Sequence, residues 1–272
     1  MDKVEIATII YNRLFKEKEN LSFQYKNSKD GIGCFYLDGI LSDELAKEIS
    51  QAFPAKDKMV LKKSMREFKY IAAQMNKYNP LLEKVIYAFQ DQRIVSIIGE
   101  ICGINNLEPD ENLYAGGISL MAENNFLNPH LDNSHDKDRN KWRVLNILYY
   151  VSQDWKDDYG GHLELWPNGV NSSQNTIYSR FNRLVVMATH NNSLHSVSPV
   201  VVDNERKCVS NYYFSDTPLQ AEDRFHVTSF RGRPEQKTKD ILLKLDSKIR
   251  MMLRKIFKKG IAENPHVYKK DK

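Results

Sequence analysis

Three residues of the sequence have the types and the spacing of a metal-binding set. His130 and Asp132 stand two positions apart in NPHLDNSH, and His195 follows 65 residues later in NNSLHSVSPV. In a strand, residues i and i+2 share a face and lie about 6.6 Å apart along the chain, so both side chains can converge on one ion. Two histidines and one carboxylate leave coordination positions open, as in non-haem Fe(II) sites. Polar residues in a loop are the alternative interpretation.

A second group of residues could bind a carboxylate beside this set. Arg206 opens the strand-like run RKCVSNYYFS, eleven residues after His195. Its guanidinium could bind a carboxylate with two parallel hydrogen bonds, and the Tyr150 phenol, at the end of RVLNILYYV, could reach the same group. Period-2 alternation predicts that one face of the first strand carries Arg206, Cys208, Ser210 and Tyr212. It also predicts that one face of the second strand carries Val144, Asn146, Leu148 and Tyr150.

Other histidines offer rival interpretations. In GGHLELW, His162 and Glu164 form an HxE pair that could replace HxD. Because the apolar Leu163 between them is expected to face the interior, we expect His162 and Glu164 to face outward. His135 lies in a charged loop, where we expect contact with solvent or with the rim of a substrate site.

The first hundred residues favour helices. Ser42 can cap LSDELAKEISQAF, which has apolar residues at helical spacing. Two apolar stripes follow in NPLLEKVIYAFQDQRIVSIIGEICG, where Gly103 suits a helix end. The segment GIGCFYLDGI before them predicts a strand that ends in a turn.

From about Leu113 the pattern changes to short β-rich runs without intervening helices, which indicates an antiparallel sandwich or jelly roll. A helical period returns after about Pro234 among lysines and arginines. We expect its apolar stripe to pack against the amino-terminal helices; docking on an anionic membrane or an acidic partner is the alternative. The predicted packing positions are Leu242, Leu245, Ile249, Met252 and Ile256.

Composition excludes several classes of protein. The net charge of +5 is concentrated in residues 231–272, with 14 Lys/Arg against 5 Asp/Glu, whereas residues 1–230 have 26 against 30. This distribution argues against a nucleic-acid-binding main domain. No apolar run approaches the roughly 20 residues that span a bilayer, and the amino terminus lacks the pattern of a cleaved signal peptide. Three separated cysteines fit a reducing compartment, so we expect a cytoplasmic protein.

Between Tyr114 and Ser215 the sequence resembles a known family. The runs HLDN, NILYYVSQDW, GGHLELWPNG, RFNRLVVMATHNNSLHSVSPV and RKCVSNYYFS are similar to iron- and 2-oxoglutarate-dependent oxygenases of the prolyl hydroxylase type, and closest to bacterial members whose substrates are mostly unassigned. The resemblance implies an α+β fold with a double-stranded β-helix, or jelly-roll, core over 113–230. The helical periodicity described above predicts a mainly helical region of the same domain over 1–112 and a basic amphipathic helical tail over 231–272.

The resemblance also implies a site. Its metal ligands would be His130, Asp132 and His195. Arg206, helped by Tyr150, would hold the distal carboxylate of 2-oxoglutarate, with Leu163 and Ser210 lining the same pocket. The cofactors would be Fe(II), 2-oxoglutarate and O2, with ascorbate as an optional addition, and the enzyme would hydroxylate an unactivated C–H bond while it converts 2-oxoglutarate to succinate.

Two features depart from the family pattern. Leu120 stands where many animal prolyl hydroxylases carry a tyrosine before the HxD, and the spacing from His195 to Arg206 is slightly long. The second departure leaves Lys207 as a rival for the carboxylate.

The substrate stays open at this point. The resemblance suggests prolyl residues of a protein, but a small molecule, a saccharide or a lipid-linked intermediate is equally compatible. A non-catalytic jelly-roll binding module, which needs no iron, and a metal-dependent isomerase, which needs no Arg206, are the competing functions. The sequence does not indicate an oligomeric state.

Overall fold

The computed structural model describes residues 1–29, 31–257 and 267–269. Within them a curled antiparallel sheet carries a layer of helices on one face. The helices are α1 (Lys3–Ser28), α2 (Asp43–Gln51), α3 (Pro80–Ala88), α4 (Gln92–Cys102) and α5 (Lys237–Ile256). The strands are β1 (Cys34–Asp38), β2 (Val60–Lys63), β3 (Glu67–Ala72), β4 (Glu108–Pro109), β5 (Gly117–Met121), β6 (Phe126–Leu131), β7 (Trp142–Tyr150), β8 (Leu163–Leu165), β9 (Asn175–Ile177), β10 (Arg183–Ala188), β11 (His195–Val197), β12 (Arg206–Ser215) and β13 (Ser229–Phe230).

The strand order shows why the sheet forms a jelly roll. It runs β1-β10-β7-β12-β5-β3-β6-β11-β8-β9, and β2, β4 and β13 pair with β3, β12 and β6. Leu163 and Ile177, from the β8–β9 end of this path, pack in one core cluster with Leu148 and Val185 of β7 and β10. The sheet therefore curls until its two halves face each other, which confirms the predicted double-stranded β-helix.

Helices cover the outer face of one half of the sheet. A large apolar cluster joins α1 to α4 with the outward residues of β1, β10 and β7, among them Phe35, Val186 and Tyr149. The predicted helix signals are present: the Ser42 hydroxyl accepts a hydrogen bond from Leu45 N at 3.2 Å, and Gly103 ends α4 at φ 68°.

Several strands of the sheet were not predicted from the sequence, and the hairpin β2–β3 is the longest of these segments. The hairpin β2–β3 lies in the region expected to be mainly helical, and β3 pairs with both β5 and β6. Its pattern is mixed, because its residues are half-buried rather than alternately buried and exposed. The hairpin therefore carries little of the period-2 signal that identifies a strand.

The predicted face of β7 was partly wrong. Asn146, Leu148 and Tyr150 face the interior, but Val144 belongs to the outer core under the helices. A β-bulge causes the change: Tyr213 pairs with Leu145 and the next residue of β12 pairs with Arg143, so Val144 is the extra residue. Because the bulge shifts the alternation by one residue, Arg143 points to the interior instead.

The prediction for the C-terminal helix was wrong about its face. The five apolar residues expected to pack on the amino-terminal helices are all exposed, from 46% for Ile249 to 67% for Ile256. The helix lies against β13 instead, held by buried Leu243 and by polar contacts such as the ion pair of Arg231 Nε with Asp240 at 2.7 Å. Apart from 267–269, the predicted tail beyond Phe257 lies outside the described residues.

None of the helices in the described ranges combines the length and the apolar character that crossing a bilayer requires. The cysteines are free thiols, with Cys102 and Cys208 buried.

The packing of α5 leads to a stability prediction. Leu243→Ala removes a fully buried side chain from a satellite core and should lower the free energy of unfolding by about 3 kcal/mol. The matched control Leu245→Ala, on the exposed side of the same helix, should change it by less than about 0.5 kcal/mol. Urea denaturation of both variants measures this difference, and equal losses would show that α5 packs through the originally predicted face.

Candidate active site

The sheet brings the predicted histidines face to face. His130 lies near the end of β6 and His195 begins β11, and the antiparallel pairing of these strands makes the two residues register partners. Their ring centroids lie 4.2 Å apart. Both residues are buried, because the sheet curls over them.

Main-chain contacts orient both imidazole rings. His130 Nδ1 lies 3.0 Å from the Asn128 carbonyl oxygen, and His195 Nδ1 lies 2.9 Å from that of Ser193. A carbonyl oxygen can only accept, so each Nδ1 carries the proton and each Nε2 presents a lone pair. This is the tautomer and the anchoring that a metal-binding histidine requires.

Asp132 lies directly after β6 and faces both Nε2 atoms. Its Oδ1 is 3.5 Å from His130 Nε2, and its Oδ2 is 3.7 Å from His195 Nε2. Burial alone would raise its pKa, but contact with His130 and the charges of His195 and Arg143 hold the pKa well below its usual value. Burial and the neighbouring His130 lower the pKa of His195 to about 4, so His195 is neutral at pH 7.

These three residues fit a metal ion. Their ligand atoms lie within 4.8 Å of one another, a spacing that bonds of about 2 Å can bridge after a small adjustment. Asp132 Oδ2 is buried and accepts no hydrogen bond from the residues that the structure describes. A buried carboxylate oxygen without a donor needs a cation, and two imidazoles with one carboxylate suit Fe(II).

Arg206 forms the second part of the site. It is buried at the start of β12, and its guanidinium lies 4.7 Å from the centre of the Tyr150 ring. Neither Arg206 Nε nor the Tyr150 hydroxyl has a hydrogen-bond partner among the described residues. Burial raises the pKa of Tyr150 to about 12, so its hydroxyl stays protonated and can donate. A buried guanidinium is costly unless it is paired, so this place suits a carboxylate.

The rival Lys207 points the other way. Its Nζ donates to the Ser50 carbonyl oxygen at 3.1 Å on the helical side of the sheet. Strand alternation thus separates the two cations, as the sequence predicted. Gly161 packs against Arg206 at a positive φ of 68°, where a Cβ would lie 3.3 Å from Arg206 Cγ. No sequence pattern predicts this contact of Gly161.

A cavity of about 110 Å³ connects the two parts of the site. Leu163 and Ser210, predicted to line a 2-oxoglutarate pocket, both line it. Its walls come from both halves of the jelly roll, with His130, Asp132, His195 and Arg206 around the same space. The structure therefore brings together the residues that the sequence proposed.

The rival pair faces away from this cavity but is not exposed. His162 is buried, with Nε2 3.0 Å from the Asp157 carbonyl oxygen, and Glu164 is buried and accepts from Arg233 at 2.7 Å. His135, expected at solvent or a substrate rim, is also buried and lines a larger cavity. Burial lowers the pKa of His135 to about 4.

Sequence reasoning missed several cationic residues near the site. Arg143 is buried with Nη1 3.7 Å from Asp132 Oδ2, and its guanidinium stacks on Tyr212 at 4.1 Å. Lys69 on β3 lines both cavities, and Arg250 and Arg254 on α5 line the larger one. Period-2 alternation did not predict the inward position of Arg143, because the bulge shifts the alternation by one residue. The sequence of α5 does not indicate where on the sheet this helix packs.

The comparisons with known proteins agree with this geometry. Residues 116–214 match the 2OG-Fe(II) oxygenase superfamily. No curated protein shows significant similarity to the chain.

Several solved structures share the fold. A prolyl-4-hydroxylase from Pseudomonas putida is 16% identical, with a TM-score of 0.54, over 71% of this chain and 98% of that chain. Prolyl 4-hydroxylase from Phytophthora capsici is 17% identical, with a TM-score of 0.54, over 92% and 78%. SnoN, a non-heme alpha-ketoglutarate-dependent epimerase from nogalamycin biosynthesis, is 14% identical, with a TM-score of 0.53, over 81% and 87%.

At these identities the structural likeness concerns the fold, whereas the match over 116–214 covers the strands that carry the metal-binding cluster and Arg206. The chain is a 2-oxoglutarate-dependent dioxygenase that uses Fe(II) and O2, and its match to the 2OG-Fe(II) oxygenase superfamily lies within residues 116–214.

Proposed function

We propose that this dioxygenase hydroxylates an unactivated C–H bond of an organic substrate. In this proposal His130, Asp132 and His195 bind the iron, and Arg206 with Tyr150 binds the distal carboxylate of 2-oxoglutarate. The observation that carries the proposal is the single cavity lined by the metal-binding cluster and by the buried, unpaired Arg206.

The bound cofactors supply the oxidising chemistry: O2 gives one oxygen atom to succinate and the other to the hydroxylated product, with loss of CO2. The chain supplies geometry and charge. The anchored imidazoles present Nε2 lone pairs, and Asp132 compensates part of the metal charge. Arg206 neutralises a carboxylate while the Tyr150 hydroxyl donates to it. Leu163 and Leu148 exclude water from this end of the cavity.

The buried positive charge of Arg206 disfavours the two competing functions. A binding module without cofactors would leave the guanidinium buried and unpaired, at a cost of several kcal/mol. A metal-dependent isomerase that uses no 2-oxoglutarate would have no use for the carboxylate site at Arg206. The family likeness to prolyl hydroxylases concerns the fold and does not identify prolyl residues as the substrate.

Turnover of 2-oxoglutarate tests this proposal. The chain with Fe(II) and O2 should form succinate, and Asp132→Ala should abolish this activity and weaken iron binding at least about tenfold, because it removes the only carboxylate among the proposed ligands. The control His162→Ala, outside the cavity, should bind iron nearly as the wild type does. Succinate formation by the Asp132→Ala variant at the wild-type rate would remove Asp132 from the site, and its absence in the wild type would favour a binding module.

We also propose that α5 makes a peripheral contact with an anionic membrane. The apolar residues that it exposes form one stripe along the helix, flanked by Lys244 and Lys248. Such a face combines apolar insertion with attraction to anionic headgroups.

Sedimentation with vesicles tests the contact. The chain should sediment with vesicles that contain phosphatidylserine and much less with purely zwitterionic ones, and Leu245→Glu should abolish sedimentation while succinate formation continues. Equal sedimentation of the Leu245→Glu variant would exclude this face as the contact.

A further inference from the structure

A second, larger cavity opens from the metal-binding cluster. Its volume is about 650 Å³, and His130 and Asp132 form part of its wall. Ligand sites of this kind usually measure about 300–1,000 Å³. The cavity lies next to the proposed iron position and is therefore the place where the proposed function requires the substrate.

The charged residues of this cavity are mostly basic. Six cationic side chains line it against two anionic ones, Glu67 and Asp132; the cations are Lys62, Arg66, Lys69, Arg143, Arg250 and Arg254. Arg66 and Arg250 share one further carboxylate, Asp246. With Asp246 included, the excess is three positive charges before any metal binds.

Three of these cations, Lys62, Arg143 and Arg254, have no carboxylate of their own among the described residues. Lys69 pairs with Glu67 at 3.0 Å, but Arg143 reaches only Asp132, a proposed metal ligand, at 3.7 Å. Arg143 is 3% exposed, and its Nε and Nη2 atoms have no hydrogen-bond partner in the described part of the chain. No ion pair is found for Arg254 among the described residues. The buried guanidinium of Arg143 is costly without an anion, and the half-buried guanidinium of Arg254 can bind the same anion.

The mutual repulsion of these cations supports this conclusion. Burial and then the charge of Arg66 lower the pKa of Arg250. A bound anion would relieve the repulsion. The wall also contains apolar residues, among them Val227, Phe230 and Leu253, which suit a carbon skeleton.

We infer that the substrate is an organic molecule with a phosphate group, or an oxyanion of similar charge, held by Arg254 and Arg143 near the iron position. Several guanidinium groups line the same cavity, which favours a substrate group with more than one negative charge. Phosphate is suitable because its oxygens can accept paired hydrogen bonds from a guanidinium group. This inference rests on the proposed function, since it takes the larger cavity as the substrate site.

Phenyl phosphate is a suitable probe. Phenyl phosphate is titrated calorimetrically into the full chain, which is loaded with Mn(II) and 2-oxoglutarate in the absence of O2. We expect phenyl phosphate to bind at least about tenfold more tightly than benzyl alcohol, and its affinity to fall as salt is added. Arg254→Ala and Arg143→Gln should each weaken it about tenfold, the effect of one lost charge-assisted hydrogen bond. The control Lys248→Ala removes an α5 charge outside the cavity and should have no effect.

Three results would overturn the inference: equal affinity for benzyl alcohol, displacement of 2-oxoglutarate by phenyl phosphate, or unchanged affinity in Arg254→Ala. Titration of 2-oxoglutarate into each variant shows whether its fold and cosubstrate site are intact, and Arg254→Ala suffices if Arg143→Gln fails this control. The titration measures binding and requires no turnover. A failure to form succinate would therefore contradict the proposed hydroxylation without deciding whether the cavity binds phosphate.

Discussion

The antiparallel register of the curled sheet is the constraint on which the site depends. Pairing of β11 with β6 sets His195 opposite His130, and Asp132 follows within two residues. A shift of one residue would turn either histidine to the outside of the sheet, because side chains alternate between faces. The same rule in β12 turns Arg206 inward and Lys207 toward the helices. The proposed metal site and the proposed cosubstrate site therefore both depend on strand register, which the apolar residues on each face stabilise.

The site contains charges that the protein does not pair internally. Asp132 Oδ2 accepts no hydrogen bond, and Arg206 Nε and Arg143 Nη2 donate none, among the described residues. Each such group lowers the stability of the fold by a few kcal/mol unless a ligand completes it. The large helix-covered core, with side chains such as Phe89 and Tyr149 fully buried, offsets this cost. The unpaired groups thus support the proposals of a metal beside Asp132, a carboxylate beside Arg206 and an anionic substrate group beside Arg143.

Local sequence signals predicted much of this structure. The HxD spacing, the eleven-residue step to Arg206 and the helix caps at Ser42 and Gly103 depend on neighbours in sequence, and the structure agrees with them. The predictions were wrong where tertiary contacts determine which face of an element is buried. A one-residue bulge moved Val144 outward and Arg143 inward. Ion pairs and Leu243 set the buried face of α5, so its apolar stripe is exposed. Residues of β2, β3 and α5 line the larger cationic cavity, and no sequence pattern brings these elements together.

The 2-oxoglutarate requirement of two neighbouring variants tests the register most directly. Arg206→Ala should raise the concentration of 2-oxoglutarate needed for half-maximal succinate formation by about two orders of magnitude, since a charge-assisted pair in a partly desolvated site contributes roughly 3 kcal/mol. Lys207→Ala should leave this concentration nearly unchanged, because Lys207 lies on the opposite face of β12. The reverse ranking would contradict the account, since it would mean that β12 presents Lys207 to the cavity and that Tyr150 has another role.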